Sequence, residues 1–515
     1  MVDYNLLAPD DLNEILKRPL DKVLSTKEVD RLEKALYNYD YYSGLQHTDA
    51  MGRLVRASEL DRPDGYSYDP ARFETNYFKA FIKRKARWQM AGAHGIEVIP
   101  KDEEDSTSIE EAKKYEKLLA TLWEENQMDA KKMALARDRM IGGKIACKLA
   151  YNPATGRLHW IWHKAYEVFP LYSEDGFDTL EGYDIIVQKE DEENEGQTLY
   201  YVQHFRLEDE VCYLEELVYD DQLKVREVIQ PKASLGIDFV PVTTFDVEML
   251  DRDGEYFDDL KDMEILTSQL NSMMEDATDA LAFEMFGITK VTNAREGTAA
   301  QLEIAPGAVV EIQSAIDGVQ ADMGVVEYGF KWKEAYKDQY NRIKSALHEL
   351  SGLPQIVPQE LNFGGMNDRA LQVLYQDVIQ ETQEHWLSWE VGFNELFEKS
   401  LWYLKARSDT RKFRYDKQLV NNLEDIQTTK VNFILPLPDD RENLIDLLQK
   451  EVDYGFESVR GAQKRAGVVD VDRKFAEIQE EREMLRQSED PYNMTSEVET
   501  LADEIEPEVE DLPQE

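Results

Sequence analysis

The stretch Ser351-Gly-Leu-Pro-Gln-Ile-Val-Pro-Gln-Glu-Leu-Asn-Phe-Gly-Gly-Met-Asn367 decides how the middle of the chain reads. Its two prolines and three glycines forbid a continuous helix, yet helical periodicity stands on both sides of it. Before it, over 325–350, Trp332, Tyr336, Tyr340, Ile343, Leu347 and Leu350 recur at a 4-4-3-4-3 spacing. After it, 368–407 has no proline and only Gly392 as an interruption. That predicts a helix of roughly 60 Å at about 1.5 Å per residue. Asn367 or Asp368 is its N-cap candidate, and Gly392 is the expected site of a kink.

Working outward, 256–286 carries a second seam of the same kind, through Leu266, Leu270, Met273, Ala277, Ala280 and Glu284. Between the two seams lies a Gly- and β-branched-rich insert, 287–324, with strands expected at 288–293 and 308–313. Upstream, from 144 to 248, the period changes to two. Segments 144–151, 157–163, 198–206 and 211–219 read as strands of an antiparallel meander, with an acidic loop at 190–195. Helical patterns precede it at 25–42, 76–90, 109–125 and 130–141, the last stopped by Gly142-Gly143. The 76–90 segment holds the densest basic island, Lys79, Lys83, Arg84, Lys85 and Arg87, among Phe78, Phe81, Ile82 and Trp88. An amphipathic helix whose cations pair with acidic neighbours in the same or an adjacent subunit is the favoured reading. Downstream, 430–436 reads as a strand and 439–486 as helices broken near Gly455 and Gly461. Eleven acidic residues and no Lys or Arg follow Ser488, the pattern of a disordered tail.

The chain of 515 residues carries 59 Lys and Arg against 105 Asp and Glu, a net charge of −46. Such acidity excludes a protein that grips duplex DNA without regard to sequence, since that affinity comes from cations displacing counterions. It argues equally against an anionic membrane surface. Wholesale disorder is excluded by 42% hydrophobic residues. Two cysteines, Cys147 and Cys212, form no metal or disulfide pattern. Neither a signal peptide nor a membrane span is expected, and a cytoplasmic site of synthesis is.

Motifs for chemistry mostly fail. Gly142-Gly143-Lys144 lacks the Ser or Thr and the spacing of a phosphate loop. Asp251-Arg-Asp-Gly254 lacks the ligands of a calcium loop, and His159 with His163 has no third ligand nearby. No cofactor, metal or catalytic residue is expected.

The order of parts is more informative: β-rich region, long helix, small β insert, long helix, Pro/Gly loop, very long helix, helical end, acidic tail. With Asn76-Tyr-Phe-Lys-Ala-Phe-Ile82 ahead of Met90-Ala-Gly92, and Leu350-Ser-Gly-Leu-Pro354 leading into Phe363-Gly-Gly-Met-Asn-Asp368, it resembles the portal proteins of tailed bacteriophages, especially the siphovirus SPP1-type portal family. The resemblance implies an α+β portal fold. Residues 1–75 would form an N-terminal helical or extended segment and 76–255 a β-rich wing. Two stem helices, 256–286 and 325–350, would flank a small α/β clip at 287–324. A tunnel loop at 351–367 would lead to the long kinked helix and return strand, 368–438, then crown helices at 439–487 and the tail at 488–515.

It further implies a homo-oligomeric ring, a dodecamer in the family, at a single capsid vertex of the virion and assembled in the host cytoplasm. Double-stranded DNA is packaged and ejected through such a ring. Partners would be the terminase large subunit, a head-completion adaptor, and scaffold and major capsid proteins, with no membrane and no catalysis.

For a conduit, the acidic background keeps DNA from sticking while a few cations centre it, the candidates being Lys331, Lys333, Lys337, Arg342 and Lys344. The loop offers weak polar contacts through Gln355, Gln359, Asn362 and Asn367, apolar ones through Ile356, Val357, Phe363 and Met366, and freedom at Gly364 and Gly365. Two other readings are a magnesium-dependent nuclease using Asp251, Asp253 and Asp258, and an acidic scaffold that mimics DNA.

Overall fold

The computed structural model describes residues 9–18, 22–45, 48–49, 53–55, 70–92, 94–102, 104–173, 179–192, 194, 196–247, 260–286, 288–295, 314–316, 319–326, 332–355, 373–425, 427–435, 441–466, 468, 471, 474–475 and 478–479. The chain divides into two compact units, 1–436 and 437–515.

The first unit opens with α1 (Pro9–Leu16) and α2 (Thr26–Ser43), followed by α3 (Tyr77–Met90), β1 (His94–Val98), α4 (Ser106–Glu125) and α5 (Met128–Gly142). These helices start where local chemistry directs. Ser25 and Glu28 form a reciprocal capping box on α2, and the Asn76 and Asp105 side chains accept backbone N–H groups at the starts of α3 and α4. Gly143, at φ +77°, ends α5 in the left-handed region, as the paired glycines suggest.

Eight strands follow: β2 (Lys144–Asn152), β3 (Arg157–Lys164), β4 (Val168–Tyr172), β5 (Leu180–Glu190), β6 (Thr198–Glu208), β7 (Val211–Tyr219), β8 (Val225–Ser234) and β9 (Val242–Asp246). Strands β4 to β8 make a five-stranded antiparallel meander in sequence order, whereas β9 leaves it to pair with β2 in a three-stranded sheet β3-β2-β9. The four strands expected from alternation are all present. Helix α1 covers one face of the meander, with Leu12, Ile15 and Leu16 packed on Ile186, Val202 and Leu217. Asp184 anchors it. Fully buried, it takes hydrogen bonds from His204 at 2.8 Å, Arg206 at 2.6 Å and Arg18 at 3.3 Å, while Arg206 also reaches the Leu16 carbonyl at the end of α1.

Helices α6 (Lys261–Phe286) and α7 (Trp332–Leu350) pack along each other, with the antiparallel pair β10 (Ile288–Thr292) and β11 (Asp322–Val326) between them in sequence. This corrects the expected helix start at Val325. Val325 and Val326 are strand residues paired with Thr289 and Ile288, because a β-branched run beside an open strand edge is better satisfied there than in a helix. The strand expected at 308–313 lies outside the described residues.

Helix α6 also holds an extended segment of the N-terminal region. The backbone N–H groups of Ala71, Phe73 and Thr75 donate to side chains of Asp279 (2.8 Å), Glu275 (3.1 Å) and Asn271 (2.9 Å). Every second residue of an extended chain thus meets every fourth residue of a helix, running the opposite way.

Helix α8 (Gln376–Arg407) is the spine of the unit, followed by α9 (Lys417–Asn421) and β12 (Thr429–Phe433), which pairs antiparallel with β1. The helical run is unbroken through Gly392. The glycine has a packing reason: a Cβ there would lie 2.3 Å from the Phe245 ring on β9. Residues 368–372, including one expected N-cap, are outside the described set, and Tyr375 precedes the helix without a side-chain cap. Around Gly392, Trp389, Phe393 and Phe397 stack at one-turn intervals of 5.5 and 5.9 Å and meet Phe245, Trp123 and Trp160. Arg139, 1% exposed, lies 4.5 Å over the Trp389 ring and donates to the Asp246 carbonyl and Ser388 Oγ.

The second unit contains α10 (Arg441–Asp453) and α11 (Val459–Arg465). Gly455, at φ +75°, separates them as expected. Gly461 does not break the chain but lies inside α11, where Ser458 Oγ accepts its N–H in the first turn. The tail beyond residue 479 lies outside the described residues.

Two outcomes test this packing. Gly392→Ala gains about 1 kcal/mol of helix propensity but must displace a buried ring, which costs about 1–3 kcal/mol; thermal unfolding is expected to show a lower Tm, and a raised Tm would refute the packing role. For Asp184, burial opposes ionisation, but the His204 hydrogen bond and the Arg206 charge outweigh it and hold the carboxyl below its ordinary value. A depressed pKa contributes stability that is complete above the usual carboxylate value of about 4 and is lost as pH falls through the depressed one. Asp184→Asn is expected to cost about 3–5 kcal/mol at neutral pH, and to remove that part of the acid-induced loss of Tm.

Candidate functional site

The five candidate cations do not form one group. Lys331 lies outside the described residues. On α7, at 100° per residue, Lys333, Lys337 and Lys344 fall on one flank of the apolar seam, while Arg342 falls on the other side of the helix. Lys333, Lys337 and Arg342 are exposed and Lys344 is half-buried. None of these four makes an ion pair among the described residues. The seam beside them is built as its spacing suggests. Trp332 meets Tyr336 edge-on at 6.0 Å, Tyr336 stacks on Tyr340 at 6.1 Å, and Ile343 and Leu347 are buried.

The end of α7 is tied tightly. Gly352, at φ +66°, reverses the chain. Ser351 Oγ donates to the His348 carbonyl at 3.0 Å and accepts the Leu353 N–H at 3.3 Å, and His348 Nδ1 donates to the Leu353 carbonyl at 3.0 Å. Gln355 Oε1 accepts from Ser345 Oγ at 3.2 Å, so this loop residue turns back onto α7. The remaining loop candidates, Ile356, Val357, Gln359, Asn362, Phe363, Gly364, Gly365, Met366 and Asn367, lie outside the described residues.

What the sequence did not reveal is the pedestal under this loop. Helix α3, the basic island, presents one face to both roots of the loop. Tyr77 Oη lies 3.3 Å from Tyr340 Oη, the Phe81 ring meets His348 edge-on at 5.2 Å, and the Trp88 ring lies 5.0 Å from Tyr375. Lys85 Nζ pairs with Glu381 at 2.7 Å, in the first turns of α8. Trp386 and Trp389 donate to the carbonyl and side-chain oxygen of Gln89 at 2.8 and 3.2 Å. The opposite face of α3 buries Phe78, Ile82 and Ala86. Burial, followed by the bond to Tyr340, pushes the Tyr77 hydroxyl up to about 12. Burial, and then the charges of Arg84 and Lys344, push His348 below its ordinary value against the opposing bond to Leu353. The available signal was the 77-81-84-88 spacing, which puts three aromatic rings and an arginine on one face of α3, away from Phe78, Ile82 and Ala86.

The motifs set aside resolve into structural parts. Gly143 is a helix cap and Lys144 begins β2 opposite Asp246. His163 Nδ1 lies 3.0 Å from Glu167, and His159 is half-buried in β3. Asp251, Asp253 and Asp258 lie outside the described residues. No helix among the described residues is long and apolar enough to cross a membrane.

Comparison with known proteins is consistent with the order of parts. A family model described as "Phage portal protein, SPP1 Gp6-like" matches residues 21–488. No curated protein matches the chain. Among solved structures, the neck of an empty GTA particle computed with C6 symmetry is similar at 12% identity and a TM-score of 0.35, covering 75% of this chain and 89% of that one. The virion of a native gene transfer agent particle is similar at 12% identity and a TM-score of 0.34, covering 75% and 88%. At such distances the family match alone carries the assignment. With nearly the whole described chain inside that match, the protein belongs to the SPP1 Gp6-like family of phage portal proteins.

Proposed function

We propose that this portal protein assembles as a homo-oligomeric ring at one vertex of a phage head and that double-stranded DNA passes through its axis during packaging and ejection. The observation that carries the reading is the family match over residues 21–488, joined to a pair of packed helices leading into a Pro/Gly-rich loop whose two roots rest on one helix. In this reading 76–255 is the wing, 256–286 and 332–350 the stem, the insert from 287 through the end of β11 at Val326 the clip, 351–367 the tunnel loop, 368–438 the long helix and return strand, and 439–487 the crown. The terminase large subunit, a head-completion adaptor, scaffold and the major capsid protein are the partners that a portal of this family would meet. The family is structural, and the ring acts by shape and charge.

The physical logic concerns charge. Duplex DNA bears one negative charge per about 1.7 Å of axis, and many well-placed cations would hold it in place. A subunit with a net charge of −46 repels the duplex over most of its surface. A few unpaired lysines, repeated around the axis, then suffice to keep it centred. The seam of Trp332, Tyr336 and Tyr340 supplies apolar surface that a neighbouring subunit can cover.

Direct imaging of the purified full chain is expected to show rings with an axial hole; a uniformly monomeric protein would overturn the proposal. Replacing Lys331, Lys333, Lys337, Arg342 and Lys344 together by Gln is expected to leave rings intact and to slow packaging several-fold, and an unchanged rate and packaged length would refute the centring role. Deleting 356–366 is expected to abolish packaging while rings still assemble; normal packaging by such rings would remove the loop from the DNA path.

A further inference from the structure

Helix α3 carries an arginine that its surroundings do not explain. Arg84 lies on the same face as Tyr77, Phe81 and Trp88, all three of which are engaged with Tyr340, His348 and Tyr375. The next residue, Lys85, is paired with Glu381. Arg84 itself is exposed and has no ion pair or hydrogen-bond partner among the described residues. Its position is specific. Phe81, three residues before it, touches the root where α7 ends, and Trp88, four residues after it, touches the root where α8 begins. On the face of α3, Arg84 therefore falls between the residues that touch the two roots of the loop spanning 351–367. Lys344 approaches the same place from α7, and both charges act on His348. Among the described residues neither Arg84 nor Lys344 makes an ion pair.

We infer that Arg84 and Lys344 form a phosphate seat at the foot of the loop, where a pair of cations touches the duplex backbone. The inference rests on the conduit reading above and adds a contact to it. Arginine suits a phosphate because its planar fork can donate two hydrogen bonds to one anionic group. The rings of Phe81 and Trp88 hold the helix that bears it against both roots of the loop. One such contact per subunit is weak alone, and repeated around a ring it gives the duplex an even positive collar.

The test uses rings of the full chain and a short blunt-ended DNA duplex, with affinity followed by fluorescence anisotropy across a series of salt concentrations. Arg84→Gln is expected to leave ring assembly unchanged by native mass measurement, to weaken duplex binding about tenfold at low salt, and to flatten the dependence of affinity on salt. Arg84→Lys, which keeps the charge, is expected to fall between the two. Equal affinity and equal salt dependence for wild type and Arg84→Gln would overturn the inference. Loss of rings in Arg84→Gln alone would overturn it as well and assign Arg84 to an acidic group on a neighbouring copy. A wild-type chain that packages DNA but whose rings bind no duplex even at low salt would remove the seat and leave the conduit standing; a wild-type chain that forms no rings would remove the conduit.

Discussion

The constraint on which the rest of the first unit depends is the close approach of α8 to β9 at Gly392. With no Cβ at that position, the Phe245 ring fits against the helix backbone, and Trp389, Phe393 and Phe397 stack around it. Each aromatic pair contributes about 0.5–1.5 kcal/mol beyond its buried area, and Trp123 and Trp160 bring α4 and β3 into the same cluster. Arg139 joins α5 to it through the Trp389 face. The helix is thus held by the β-rich region along its length, and its first turns inherit that rigidity. Lys85 to Glu381 and Trp88 to Tyr375 then carry the same frame to the loop. The aromatic cluster thus fixes one of the two roots of the loop.

Much of this was legible in the residues because it is written in local periods. Alternation located β2, β3, β6 and β7, and the steps of four and three located both helices of the pair, since burial on one face imposes those periods directly. Gly392 shows where local reading stops. A glycine deep in a helix is compatible with a bend, with a close neighbour or with both, and the neighbour, the Phe245 ring, lies well over a hundred residues earlier. The same holds for β1 and β12, whose pairing joins residues 94–98 to 429–433, and for β9, which leaves the meander for β2 although nothing in its five residues says so. Val325 and Val326 were misassigned because a helical seam and a strand edge compete for the same valines, and the partner strand decides.

The candidate site divides along the same line. Charge type and loop composition are properties of the sequence, so the α7 cations and the Pro/Gly stretch could be named in advance. Whether a cation is paired is a property of the fold. Of the basic island, Lys85 finds Glu381 and Lys79 lies 5.3 Å over the Tyr42 ring, whereas Lys83, Arg84 and Arg87 have no ion pair among the described residues. Among the α7 cations, helical geometry sets Arg342 apart from the three lysines, a separation that a count of positive charges does not show.

The segment held along α6 has a consequence of its own. Two residues of extended chain span about 6.6 Å, and four residues of helix rise about 6.0 Å, so the rungs at Thr75, Phe73 and Ala71 stay nearly in phase with Asn271, Glu275 and Asp279. The scales behave as a vernier: each added rung accrues about 0.6 Å of misfit, the difference between those two rises, which sets a natural limit on how long such a ladder can be. A slip by a single residue would turn the donors away from the helix altogether. The segment can therefore sit in one discrete register or let go, and a short run of backbone acts as a clasp rather than a sliding contact.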